Sequence, residues 1–119
     1  MNANYKNFAD TLIYANTAPN EDLVRRMAQT AAILNVLAKA TEPMTASEIM
    51  LECGDPINYL GNSVRLPDGT RLTVQMAIHA LKRLIMVGKA FKCGSREIWY
   101  DVDDNTKKRS EVSLYALVR

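Results

Sequence analysis

The chain has 119 residues, 48% of them apolar, and a formal net charge of +2. That is enough apolar material for one domain around one core, and five glycines with four prolines are too few for a disordered chain. No apolar run approaches the ~20 residues of a membrane-spanning helix. The start, Met1-Asn2-Ala3-Asn4-Tyr5-Lys6, lacks the basic-then-apolar layout of a secretory leader. A soluble, cytoplasmic, single-domain protein over 1–119 is expected.

The charge is uneven. Residues 1–64 hold four bases against seven acids, whereas 65–109 hold ten bases against five acids, so a polyanion would meet the second half. Cys53 and Cys93 are far apart and belong to no paired motif, which fits reduced thiols. A zinc centre needs about four ligands at set spacing. Cys53, Cys93 and His79 are the only soft ligands, so no metal is expected. No phosphate-cradling glycine loop, nucleophile elbow or H-E-x-x-H occurs, so neither a cofactor nor an enzyme activity is expected.

Taken in order, Tyr5, Phe8, Leu12 and Ile13 have helical spacing and predict a short N-terminal helix within 1–19. Asn20 then caps a long helix to about Ala40, with Glu21 and Asp22 in its first turn, where the helix dipole favours acids. Leu23, Met27, Ala31, Leu34, Leu37 and Ala38 make one apolar stripe along it. Val24, Ile33 and Val36 lie beside or opposite that stripe. Such a helix is central to a core or meets a partner.

Glu42-Pro43 ends this helix. Thr45 with Glu48 forms a T-x-x-E capping box that opens a short helix, with Ile49, Met50 and Cys53 inward and Gly54 as a left-handed cap. Residues 55–72 form an excursion. Pro67-Asp68-Gly69-Thr70 is a turn sequence, flanked by strand-like Ser63–Leu66 and Thr70–Leu72, and helical residues near Ile57–Leu60 are an alternative. Thr73 caps a second motif helix, 73–87. Val74, Ala77, Ile78, Leu81, Leu84 and Ile85 form its buried stripe and Gly88 stops it.

Gly94-Ser95 reads as a type II′ turn between strands containing Phe91 and Ile98–Tyr100, with Trp99 as an anchor. Asp101–Arg109 reads as a polar loop, and Val112–Val118 as a strand in preference to a helix. If that strand pairs with the first wing strand, the Lys107-Lys108-Arg109 loop becomes a long wing tip; if it instead continues a meander, that loop points away from the Gly94-Ser95 tip.

Helix, helix, then a basic hairpin: over Arg26–Tyr100 the chain resembles the winged helix-turn-helix superfamily. The most specific piece is Thr73-Val74 … Ala77-Ile78 … Leu81-Lys82-Arg83-Leu84 … Gly88-Lys89-Ala90-Phe91. The fold implied is α+β, mainly α, with an extra N-terminal helix and a two- or three-stranded C-terminal β-wing. The 18-residue excursion departs from the usual three- or four-residue turn. The resemblance implies a sequence-specific, double-stranded-DNA-binding transcriptional regulator, cytoplasmic or nucleoid-associated, acting as a homodimer on paired half-sites. Phe8, Leu12 and Ile13 with the helix from Leu23 would be the dimer surface. The alternative is a winged-helix module that docks on a larger protein assembly without DNA.

With the apolar stripe buried, Gln75, Met76, His79, Lys82, Arg83 and Ala80 would face outward. Gln matches adenine edges, Arg matches guanine, and Met or Ala can meet a thymine methyl. Thr73 and the free N–H groups beside it suit a phosphate. Lys92 and Arg96, beside the expected turn, suit the DNA backbone or minor groove, and Arg65 and Arg71 in the excursion add to them. The plain counter-reading is a solvated helix face with basic residues protecting an edge strand.

Overall fold

The structure, a computed structural model, describes residues 21–58, 61–103 and 106–119. The helix expected within 1–19 lies outside these residues. The described chain is α+β, with three helices and two three-stranded antiparallel sheets. None of these helices is long and apolar enough to cross a membrane.

Helix α1 (Glu21–Lys39) is followed by strand β1 (Met44–Thr45) and helix α2 (Ala46–Cys53). The capping box is present. Thr45 Oγ1 accepts the Glu48 N–H at 3.1 Å, and the Glu48 carboxylate accepts the Thr45 N–H at 2.9 Å. Ile49, Met50 and Cys53 are buried. Gly54 is not a left-handed cap: its backbone is extended, at φ −177°. Glycine is needed there for proximity, because a Cβ would stand 2.2 Å from the Arg65 carbonyl oxygen.

The excursion folds as a small sheet, β2 (Asp55–Pro56), β3 (Ser63–Arg65) and β4 (Arg71–Thr73), in the order β2-β3-β4. Its turn closes by Leu66 N–H to the Thr70 carbonyl, and the Asp68 carboxylate accepts the Thr70 N–H. Val64, Leu66 and Leu72 enter the core.

Strand β4 runs straight into helix α3 (Val74–Met86), where Thr73 Oγ1 caps the Met76 N–H. The helix ends where Gly88 adopts φ +76°. Gly88 N–H then reaches the Ile85 carbonyl and Lys89 N–H the Leu84 carbonyl, satisfying two terminal acceptors. Ala77, Ala80, Leu81 and Leu84 are buried, and Val74, Ile78 and Ile85 are half-buried against them. Ala80 therefore faces the core, not solvent.

The long helix α1 covers this core with Gln29, Ile33 and Leu37. Of the expected stripe only Leu37 is buried; Leu23, Met27, Ala31 and Ala38 are exposed. Both sides of α1 are apolar, and the side bearing Ile33 is the one that the core takes.

The last two strands are far longer than expected, so helix no longer dominates. Strand β5 (Ala90–Asp103) has 14 residues and β6 (Thr106–Leu117) has 12. They pair from Ala90↔Leu117 out to Asp103↔Thr106, and β1 joins the free edge of β6 through Met44↔Tyr115. Gly94-Ser95 is not a turn. Gly94, at φ +127°, sits where the register shifts between Lys92 and Ser95, so it makes a bulge within β5. Most of the expected polar loop 101–109 is strand. Trp99 does not anchor the hairpin by burial: it is 61% exposed, and its Nε1 donates to Glu97.

Candidate nucleic-acid interface

The outward side of α3 carries Gln75, His79 and Lys82, all exposed, at spacings of four and three residues. Met86 continues the row and is 85% exposed. These side chains share one side of the helix because 3.6 residues make a turn. The buried Ala77, Leu81 and Leu84 hold the helix from the other side. Thr73 is half-buried at the N-terminus, and its hydroxyl is occupied by the Met76 N–H.

The flank towards α1 behaves differently. Met76 is half-buried, and its sulfur receives the Gln29 side-chain amide at 3.3 Å. Arg83 is half-buried, and its guanidinium donates to Thr30 Oγ1 at 3.1 Å. Neither side chain is presented as an independent reading group; both join α3 to α1. The structure thus separates the six expected contacts on α3 into exposed Gln75, His79 and Lys82, packed Met76 and Arg83, and the capping Thr73.

Two arginines that the sequence reading passed over enter here. Arg25 and Arg26 of α1 line a concavity with Asp22, Gln29, Met76, His79 and Arg83. Arg25 also borders a second concavity with Arg71, Thr70 and Met76, so β4 brings Arg71 to the α3 N-terminus. Arg65 is paired across from Arg71, and its guanidinium donates to the Gly69 carbonyl. The signal for Arg25 and Arg26 was available only as two adjacent bases near the start of a helix. Asp22 lies 2.7 Å from Arg25 and offsets part of that charge.

The hairpin contributes less than expected. Arg96 lies 2.6 Å from the Glu48 carboxylate, tied to the α2 cap rather than to a turn. The Thr45 N–H and the Arg96 guanidinium together hold the Glu48 carboxyl below the ordinary glutamate range. Lys92 is exposed, opposite Tyr115 at the base of the hairpin. Nearer the tip, Arg109 pairs with Glu97 at 2.9 Å, and Lys107 stands opposite Asp101, so the distal bases are largely matched by acids. Comparison with protein-family models, with curated proteins and with solved structures returns no match.

Proposed function

We propose that the chain is a winged-helix protein that binds double-stranded DNA and regulates transcription, with α3 entering the major groove. The observation that carries this reading is the exposed row Gln75, His79 and Lys82 standing over a fully buried Ala77-Leu81-Leu84 side. An amide, an imidazole and an ammonium at successive turns match the donor and acceptor pattern of base edges. Arg71, Arg25 and Arg26 beside the N-terminal half of α3 supply phosphate contacts that fix the helix on the duplex. The element order supports the same reading: a helix, a short strand joined to the hairpin edge, two further helices, then the hairpin.

Selection of bound fragments from random duplex DNA tests it. Enrichment of a defined site, lost in Gln75→Ala, is expected; recovery of unselected sequence would contradict sequence reading.

A second reading has its own support. The hairpin exposes Ile98 and Tyr100 on one face and Trp99 on the other, with Val102 beyond them, apolar area suited to protein contact. In that reading the domain docks on a larger assembly, and the α3 row is solvated.

A further inference from the structure

Helix α1 is apolar on two sides; the described chain covers one and touches the other only at Leu34. Opposite Gln29, Ile33 and Leu37 run Val24, Met27, Ala31, Leu34 and Ala38, at spacings of three, four, three and four residues. Val24 is 53% and Met27 63% exposed, Ala31 and Ala38 are exposed, and Leu34 is half-buried, packed at the edge of the core with part of its side chain left open. A repeat averaging ~3.5 residues is the seam of a helix that packs lengthwise on another helix. No charged residue occurs between Arg26 and Lys39. A helix with one solvent side ordinarily carries charge there. This one carries charge only at its ends.

We propose that this seam packs against the same seam of a second copy of the chain, two-fold and antiparallel. The seam is centred on Ala31, with Val24 and Ala38 equally far to either side. Antiparallel pairing sets Val24 of one copy against Ala38 of the other, and Met27 beside Leu34, so large meets small or complementary residues along the whole length. At the centre Ala31 meets its own counterpart, and its small side chain lets the two backbones approach.

Charge selects the same orientation. Glu21 and Lys39 lie on one flank at opposite ends of α1. Antiparallel pairing sets this flank against its own counterpart and brings Glu21 of each copy to Lys39 of the other, whereas parallel pairing sets it against the opposite flank and makes no such contact. The inference does not depend on the nucleic-acid reading.

Sedimentation equilibrium of the full chain at tens of micromolar is expected to give a dimer. Met27→Glu is expected to raise the dimer Kd on the order of 100-fold or more, because it buries a charge twice per dimer, with the far-UV spectrum unchanged. Orientation is read by a short bismaleimide in a Cys93→Ser background, with buried Cys53 left in place. Ala31→Cys is expected to crosslink efficiently and Ala38→Cys poorly, since the two copies of residue 38 would be roughly 20 Å apart at ~1.5 Å rise per residue. A monomeric full chain, or equal crosslinking at both positions, overturns the proposal. So does a monomer that unfolds on Met27→Glu, which would assign the seam to residues 1–20 of the same chain.

Discussion

The side-chain amide of Gln29 donates to the main-chain carbonyl of Arg71 at 3.0 Å, joining α1 to the strand that leads into α3. Gln29 is only 4% exposed, so this bond satisfies a polar group inside the protein. The same amide reaches the Met76 sulfur, which makes Gln29 the meeting point of α1, β4 and α3. Gln29→Ala is expected to lose about 1–3 kcal/mol of stability, because it takes the donor from the part-buried Arg71 carbonyl and empties the buried place of the amide. Denaturant melts at constant m-value are the check. Duplex affinity is expected to fall with it, since the α3 N-terminus loses its brace.

Substitutions on α3 are expected to divide by packing. Gln75→Ala and His79→Ala weaken specific duplex binding by about 1–3 kcal/mol each and leave the melting temperature unchanged, since both are exposed. Arg83→Ala lowers stability as well, because its guanidinium holds Thr30. Binding isotherms paired with thermal melts separate the two behaviours.

Gly54→Ala is expected to cost about 1–3 kcal/mol by overpacking, because the added methyl would meet the Arg65 carbonyl oxygen, which is backbone and cannot rotate away. Gly69→Ala supplies the contrast. Nothing lies within 4 Å of its Cβ position, so its cost comes from a φ of +91° alone.

Glu48 makes stability depend on pH. Its carboxyl is held low in the folded chain, by the Thr45 N–H first and Arg96 second. A carboxyl lowered on folding contributes stability above its unfolded pKa, and that stability is lost as pH falls through the folded value. Glu48→Gln is therefore expected to lose under ~1 kcal/mol at neutral pH, as befits a pair 42% and 43% exposed. The difference from the parent chain should vanish in acid. Melts across pH 2–7, the range of roughly these carboxyl titrations, make the comparison.

Cys53 is expected to resist alkylation in the folded protein, because burial pushes its thiol up to about 11. Half-buried Cys93, on the hairpin, should react first. Mass spectrometry after brief iodoacetamide treatment, with and without denaturant, gives the order.

Local signals survived where a single physical cause produced them. The T-x-x-E box and the α3 spacing ending at Gly88 each name their own hydrogen bonds, and both stand in the structure. Signals with two causes misled. Gly94 permits a tight turn and a strand bulge equally, and the long pairing of β5 with β6 decided for the bulge. Gly54 satisfies a left-handed cap or a close backbone approach, and the position of β3, remote in sequence, decided for the approach. On α1 the periodicity located two apolar sides but could not say which one meets the core. The clustering of Arg25 and Arg26 with His79 depends on how α1 packs along α3, which no local pattern carries.

The most direct test of the α3 surface is the salt dependence of duplex binding. Each phosphate contact releases counterions, so log Kobs should fall linearly with log salt at a slope of about −0.9 per contact. Arg71→Ala and Arg26→Ala should each flatten that slope by about one unit without changing the preferred sequence. A chain that shows no salt-dependent retention on duplex DNA at low ionic strength would contradict the account and leave the exposed hairpin as the working surface.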